Sequence, residues 1–154
     1  MPSDRNGPVA GVVLAAGTST RMGQNKLFIR LEGETLARTL ARHRVLAIPS
    51  ICEEGFPLVA LEGAACGCAV ISTDGGGLPE AIGPCGIVVR RADAMAFAEG
   101  LERLLTHRQL EDSCRRAAPA HLVRHAQSAI GERYRLALGR VAAGLRLIPE
   151  DAKG

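Results

Sequence analysis

The chain has 154 residues, of which 47% are apolar, and this is enough for one domain with an apolar core. The net charge is only +3, and the four Tyr and Phe residues offer no stacking surface, so we expect no nucleic-acid partner. The sequence has no apolar run long enough to span a membrane and no secretory signal pattern. We therefore predict a cytoplasmic protein without a transmembrane segment, whose five cysteines are reduced thiols.

The first part of the chain predicts a strand followed by a loop suited to phosphate. Residues 1–8 are polar and are expected to be a tail, whereas the Val-rich run 9–15 is typical of a buried parallel strand. In the loop that follows, small residues let backbone amides approach an anion and basic side chains neutralise it. The candidate phosphate-binding residues are Gly17, Thr18, Ser19, Arg21 and Lys26. The alternative is an ordinary turn with solvated basic residues.

The next elements are a helix predicted over 35–44 and a short strand over 45–48 that ends at Pro49. A second helix of roughly three turns is predicted between Pro57 and Gly67. Proline suits the first helical position, and glycine suits the position just after the end. Because the faces of this helix are almost all apolar, we expect it to be buried.

Two glutamates, Glu54 and Glu62, bracket the start of this second helix. Glu62 is the helix's only charge, and a carboxylate among apolar neighbours is costly unless something pairs with it. Glu54 lies just before the helix, where the helix dipole favours a negative group, and the amides of Phe56 and Leu58 offer an anion site. These groups together suit a ligand with hydroxyls and phosphates. The alternative is a capped core helix whose Glu62 pairs with a Lys, an Arg or the backbone.

The remaining elements are predicted as strands at 69–73 and 86–89, a turn at 74–77, and helices at 79–82, 94–105, 110–118 and 121–141. Asp93 is expected to cap its helix, Pro119 to end one, and Gly131 to weaken the last. His121 and His125 lack a third ligand nearby, so we interpret them as a solvated helix face rather than a metal site. Alternating strands and helices predict a parallel α/β sheet.

The second helix and its surroundings resemble the C-terminal donor domain of GT-B glycosyltransferases, in particular the retaining group 1 or family 4 enzymes. The similarity runs from about 45 to 138, and its motifs are Glu54-Gly55-Phe56-Pro57, Glu62-Gly63-Ala64-Ala65-Cys66-Gly67, Ser72-Thr73-Asp74 and Gly76-Gly77-Leu78-Pro79-Glu80. The resemblance implies a Rossmann-like parallel sheet with flanking helices and a nucleotide-sugar donor. It implies that Glu54 contacts the donor-sugar hydroxyls as the catalytic candidate and that Glu62 holds the ribose. The segment Gly55-Phe56-Pro57-Leu58 would contact sugar and phosphate, and no metal or other cofactor is expected.

An earlier segment, residues 14–27, is similar to the signature loop of MobA-like nucleotidyltransferases, which include enzymes of molybdenum cofactor assembly. That similarity weakens after Leu27 and stops near His43. It implies that the loop wraps CTP or GTP beside Mg²⁺, with Arg21 and Lys26 on the phosphates. The acidic residues that would hold Mg²⁺ do not follow, and Asp74 is a lone candidate.

We therefore divide the chain into a nucleotidyltransferase-like segment (9–43), a glycosyltransferase-like domain (44–141), and tails at 1–8 and 142–154. The sequence contains no acceptor domain, and Arg21 with Lys26 is the hypothetical basic pair for the donor diphosphate. Because transfer requires donor and acceptor held together out of water, we expect nucleotide-sugar binding with little or no turnover by this chain alone. The acceptor is unknown. The alternatives are a MobA-like nucleotidyltransferase that requires Mg²⁺, and a non-catalytic chimeric or truncated α/β module.

Overall fold

The computed structural model describes residues 12–13, 30–31 and 34–144, with side chains described from Thr35 onward. The chain divides into unit 1, Met1–His121, and unit 2, Leu122–Gly154. The strands are β1 (Val12–Val13), β2 (Arg30–Leu31), β3 (Glu34–Thr35), β4 (Val45–Ile48), β5 (Ala69–Thr73) and β6 (Gly86–Val89). The helices are α1 (Leu36–Ala41), α2 (Leu58–Ala65), α3 (Leu78–Ile82), α4 (Ala94–Thr106), α5 (Arg108–Arg124) and α6 (Gln127–Ala142), with a 3-10 turn at Gly83–Cys85. The predicted phosphate loop, 17–26, lies outside the described residues.

Unit 1 is built on a four-stranded parallel sheet with the strand order β1-β4-β5-β6. In one row across this sheet Val12 lies opposite Leu46, Leu46 opposite Val70, and Val70 opposite Gly86. Strands β2 and β3 form a separate antiparallel pair. Because all four strands of the main sheet run the same way, their carboxyl ends lie along one edge. The predicted parallel α/β sheet is confirmed.

The two faces of the sheet pack against different helices, because successive side chains of a strand point to opposite faces. One face forms an apolar cluster with α4 and α5, whose buried members are Val45, Ala47, Ala69, Ile71, Leu104 and Cys114. On the other face α2 approaches Leu46 so closely that a Cβ atom added at Gly63 would lie 3.4 Å from the Leu46 Cβ. Helices on both faces of a parallel sheet are the Rossmann-like arrangement.

Helix α2 ends as predicted but begins later than predicted. Gly67 has a φ of 85°, and its amide and that of Cys68 donate to the carbonyl oxygens of Ala64 (3.0 Å) and Gly63 (2.9 Å). These two bonds form a Schellman motif, which favours glycine at the left-handed position. Pro57 is the residue before the helix rather than its first residue, so the helix has about two turns instead of three.

The expectation that α2 is buried on all sides is wrong. Its buried residues are Ala60, Gly63 and Ala64, which share one face at helical spacing. Leu58, in the first turn, is 62% exposed. Only the narrow face of small residues meets the sheet, and the N-terminal end of the helix remains open.

Helix α1 is shorter than the predicted helix over 35–44. Thr35 pairs with Arg30 as a strand residue, and its side chain accepts a hydrogen bond from the amide of Arg38 at 3.4 Å. The hydroxyl of a threonine before a helix satisfies a free amide of the first turn. Thr35 is therefore the capping residue of α1 and not part of the helix.

Pro119 does not end a helix, contrary to the prediction. It lies inside α5, between the buried residues Ala118 and His121. The Nε2 atom of His121 lies 2.9 Å from the carbonyl oxygen of Ala81, so the prediction of a solvated histidine face is wrong for this residue. Because this buried contact holds His121 against α3, the helix continues past Pro119 although proline lacks an amide hydrogen. Helix α6 also continues unbroken through Gly131.

Among the described residues, no helix has both the length and the apolar character needed to cross a bilayer. All five cysteines lie in this part of the chain, and none forms a disulfide. Cys68 is buried, and its thiol donates to the carbonyl oxygens of Leu40 (3.3 Å) and His43 (3.4 Å). This sulfur therefore has a packing role.

Candidate functional site

Two connections meet at the carboxyl edge of the sheet. The first follows β4 and comprises residues 49–57, here named the Glu54 loop. The second follows β5 and comprises residues 74–77, here named the glycine turn. Ligands of open parallel sheets bind outside the carboxyl ends of the strands, so a binding site is expected at this edge.

Glu54 is held through both its side chain and its backbone. The Ser50 hydroxyl donates to Oε1 of Glu54 at 2.9 Å, and the Gly77 amide donates to the Glu54 carbonyl oxygen at 2.8 Å. Ser50 is itself buried and is held by the hydroxyl of Thr73, which donates to the Ser50 carbonyl oxygen. Among the described residues, nothing donates to Oε2 of Glu54, so one oxygen of a positioned carboxylate is left for a ligand.

The N-terminal end of α2 follows directly and presents backbone donors. Pro57 has no side-chain group that caps the helix, and the amide of Ala60 donates to the Pro57 carbonyl oxygen at 3.0 Å. The amides of Leu58 and Val59 belong to the first turn and have no acceptor within the helix. Such an end attracts anionic groups because the helix dipole is positive there.

Glu62 is the fifth residue of α2 and is half-buried. Burial raises the pKa of its carboxyl group. The Glu62 carboxylate forms no hydrogen bond or ion pair with any residue that the structure describes, so the Lys, Arg or backbone partner of the alternative interpretation is not found there. The fifth residue lies about 7 Å along the axis from the helix start, and side chains lean towards that end.

The negative charge of Glu62 also reaches Cys66, one turn further along α2. Burial first, and then the Glu62 charge, raise the pKa of the Cys66 thiol. No Lys, Arg or His among the described residues forms an ion pair with the Glu62 carboxylate. A carboxylate in this condition is a strong acceptor for a pair of hydroxyl donors supplied by a ligand.

Arg91, after β6, connects both segments at the sheet edge and was not singled out from the sequence. Its amide donates to Oδ1 of Asp74 at 2.9 Å, and its guanidinium group pairs with the carboxylate of Glu53. The hydrogen bond that the Arg91 guanidinium donates to the Glu53 carboxylate raises the pKa of Arg91. Asp74, the lone Mg²⁺ candidate of the nucleotidyltransferase alternative, is thus engaged with the Arg91 backbone.

The sequence-predicted residues fall into two groups. Glu54 and Gly55–Leu58 lead directly into the N-terminal end of α2, and Glu62 lies on the same helix. The phosphate candidates at 17–26 lie outside the described residues. Within 12–13, 30–31 and 34–144, no three His, Cys, Asp or Glu side chains are grouped so that they would hold a metal ion.

The chain matches a family model described as "Glycosyl transferases group 1" over residues 13–107. The matched range contains the sheet, the Glu54 loop, α2 and the glycine turn. It begins inside the segment that resembles nucleotidyltransferases, so most of that segment is matched by the glycosyltransferase family as well.

Curated relatives carry related descriptions. One is the GDP-mannose-dependent monoacylated alpha-(1-6)-phosphatidylinositol monomannoside mannosyltransferase of Corynebacterium glutamicum, to which the chain is 37% identical over 108 residues. This alignment covers 65% of the chain and 27% of that protein. The chain is 36% identical over 120 residues to the MMP alpha-(1->4)-mannosyltransferase of Mycolicibacterium hassiacum, covering 73% of this chain and 28% of that protein. A D-inositol 3-phosphate glycosyltransferase of Corynebacterium jeikeium is 37% identical over 90 residues, or 57% of this chain and 21% of that protein.

The chain therefore spans about a quarter of the length of these relatives. The family match covers more than half of the chain itself, and it includes the elements that build the sheet edge. By its sequence match and its fold, the chain belongs to the group 1 glycosyltransferase family.

Proposed function

We propose that the Glu54 loop and the N-terminal end of α2 bind the nucleotide-sugar donor of a glycosyl transfer. The observation that carries this proposal is that Glu54, a held carboxylate with one unused oxygen, precedes a helix whose first-turn amides have no internal acceptor. The half-buried carboxylate of Glu62 follows on the same helix. Hydroxyls and phosphates are complementary to these two kinds of group. The family membership of the chain supports the same ligand class.

Each group has a distinct part in the proposed complex. Glu54, with Oε1 fixed by Ser50, accepts hydrogen bonds from the sugar hydroxyls through Oε2 and is the catalytic candidate. The segment Gly55–Leu58 contacts sugar and phosphate, where the helix dipole stabilises negative charge. Glu62 accepts from the two ribose hydroxyls. A ribose that satisfies this carboxylate replaces the water that burial has partly removed.

The description of the Corynebacterium glutamicum relative as GDP-mannose-dependent makes GDP-mannose the first donor to test. UDP-sugars belong in the same panel, because the described residues include no contact that would select a base. The chain spans about a quarter of its relatives, so we propose donor binding with little or no transfer by this chain alone. None of the five cysteines forms a disulfide, which favours a reducing compartment such as the cytoplasm.

Isothermal titration calorimetry of the chain with GDP-mannose, UDP-glucose, GDP and UDP in EDTA tests the proposal. The variants are Glu54→Gln and Glu62→Gln, and Glu99→Gln, an exposed position on α4, is the matched control. Loss of a charged acceptor costs about 1.5–3 kcal/mol, so we expect Glu62→Gln to weaken nucleotide and nucleotide-sugar alike, by at least about tenfold. Glu54→Gln should weaken only the nucleotide-sugar.

The proposal fails if the folded chain binds none of these ligands, or if Glu99→Gln weakens binding as much as the other two variants do. Repeating the titration with CTP and GTP, with and without Mg²⁺, tests the nucleotidyltransferase interpretation. Mg²⁺-dependent binding that both Glu54→Gln and Glu62→Gln leave intact would favour that interpretation of residues 9–43.

A further inference from the structure

The glycine turn packs against the backbone of the Glu54 loop at distances that exclude side chains. A Cβ atom added at Gly75 would lie 2.5 Å from the Cys52 carbonyl oxygen, and one at Gly76 would lie 2.8 Å from the Glu54 nitrogen. A Cβ atom at Gly77 would lie 3.0 Å from the carbonyl carbon of Gly55. The neighbouring atoms are backbone, so they cannot rotate away as a side chain does.

At Gly77, glycine is required by the close contact with the backbone of Gly55 and not by the backbone conformation. Its φ is −80°, which every residue adopts easily. Gly76, by contrast, has a φ of 57°, where glycine is also conformationally favoured. An alanine at Gly77 is therefore unstrained in itself, and its methyl group acts only on the Glu54 loop.

We propose that the glycine turn positions Glu54 for the donor sugar, with Gly77 as the central positioning residue. Gly77 donates to the Glu54 carbonyl oxygen at 2.8 Å and lets the loop lie directly on the turn. A methyl group at this position pushes the loop away from the sheet edge and moves the Glu54 carboxylate with it. Glu62 lies on α2, whose buried face is held by the sheet, so the nucleotide end of the site stays in place.

This inference rests on the proposed function and makes a different prediction from simple destabilisation. If Gly77 positions Glu54, its substitution affects the sugar end of the donor more than the nucleotide end. If Gly77 matters only for folding, GDP and GDP-mannose lose affinity in the same proportion. The ratio of the two dissociation constants therefore separates a positioning role from a structural one.

The experiment measures the dissociation constants of GDP and GDP-mannose for the wild-type chain, Gly77→Ala and Gly100→Ala. Gly100→Ala is the matched control, since a Cβ atom there would lie 2.8 Å from Cδ1 of Ile71, on the α4 face of the sheet. We expect Gly77→Ala to weaken GDP-mannose about tenfold more than GDP, as for a lost charge-assisted hydrogen bond. Gly100→Ala should leave the ratio unchanged. Equal weakening of both ligands by Gly77→Ala, or no weakening, would overturn the inference.

A second measurement is independent of ligand and separates this inference from the proposed function. In the free wild-type chain, amide hydrogen exchange should be slowed at Gly77, because that amide donates to Glu54. A Gly77 amide that exchanges as fast as an exposed loop would overturn the inference, even if Gly77→Ala fails to fold. A protected Gly77 amide in a chain that binds no nucleotide would sink the proposed function and leave the packing of the turn intact.

Discussion

The amide of Gly77 donates to the carbonyl oxygen of Glu54 across 2.8 Å, joining the turn after β5 to the loop after β4. Both segments leave the sheet at its carboxyl edge, because β4 and β5 are parallel neighbours. The position of the candidate catalytic carboxylate is therefore set by a different part of the chain from the part that carries it. In the proposed donor site, the first-turn amides of α2 and the half-buried Glu62 are the other two groups that would contact the ligand.

Replacing Glu62 should stabilise the free chain while weakening its nucleotide binding. Because burial raises the pKa of Glu62 above its ordinary value in the folded state, the folded state favours the protonated form more than the unfolded state does. That contribution is fully present below the unfolded pKa and is lost as the pH rises through the folded pKa. Above the folded pKa the wild-type chain carries a partly desolvated carboxylate that Glu62→Gln lacks.

Urea unfolding at about pH 4 and about pH 7 checks this expectation. The free energy of unfolding of Glu62→Gln should exceed that of the wild-type chain at the higher pH, and the difference should shrink at the lower pH. A variant that is less stable than wild type at about pH 7 would show that Glu62 has a stabilising partner.

Arg44 and Glu111 form the pair on which the stability of unit 1 should depend strongly. Both nitrogens on one edge of the Arg44 guanidinium donate to the Glu111 carboxylate, which is 3% exposed. Of the cationic side chains in the described ranges, Arg44→Met leaves that carboxylate paired only with Arg115, at 3.7 Å. We expect a loss of about 3 kcal/mol in the free energy of unfolding, because a buried charge is left poorly paired.

The exposed pair Glu132 and Arg135 on α6 provides the control for this experiment. Exposed ion pairs contribute little to the free energy of unfolding because water screens their charges. Glu132→Ala should therefore leave the urea midpoint of unit 1 unchanged. Similar losses from Arg44→Met and Glu132→Ala would contradict the assignment of Arg44 and Glu111 as a buried, stabilising pair.

Pro119→Ala should make the chain more stable. Pro119 is exposed inside α5, and it removes one helical hydrogen bond without adding buried contact. Alanine restores that bond, although the unfolded chain gains some entropy. We expect the free energy of unfolding, measured in urea, to rise by about 1–2 kcal/mol. A fall would mean that the proline is needed for the geometry of this helix.

Ser50→Ala should affect both the stability and the sugar affinity of the chain. Ser50 is buried, and its hydroxyl is the group that fixes Oε1 of Glu54. Its removal should lower the free energy of unfolding by about 1 kcal/mol and weaken GDP-mannose more than GDP. Ser113→Ala removes an exposed hydroxyl that donates to Leu110 and should change neither property. Unchanged GDP-mannose affinity in Ser50→Ala would argue against a role for Oε1.

Much of the fold could be predicted because the features that set the strands and the helix ends involve residues close together in the sequence. Short apolar runs form all of β4 and most of β5 and β6, and the predicted bounds of these strands agree with the structure. Asp93 accepts from the amide of Ala96 at 2.9 Å, as expected of a capping residue. Gly67 ends α2 for an equally local reason, since its left-handed backbone closes the helix.

The errors and omissions share a different cause, namely contacts between residues distant in sequence. Pro119 looked like a helix end because its neighbours alone do not reveal that His121 is buried against Ala81. The predicted glycine turn was correct, but its contact with the Glu54 loop depends on the pairing of β4 with β5. The role of Arg91 could not be predicted from its sequence neighbours, because its partners Glu53 and Asp74 lie on other connections.

The most direct test of donor binding at the carboxyl edge of the sheet is a ¹H–¹⁵N NMR titration of the chain with GDP-mannose and UDP-sugars in EDTA. Donor binding at this edge predicts chemical-shift changes centred on the amides of residues 54–62, apart from Pro57, which has none, together with those of the glycine turn. It also predicts that GDP or UDP alone shifts the α2 amides more than those of the Glu54 loop. A well-dispersed spectrum that no donor changes, or changes confined to residues outside the sheet edge, would contradict it.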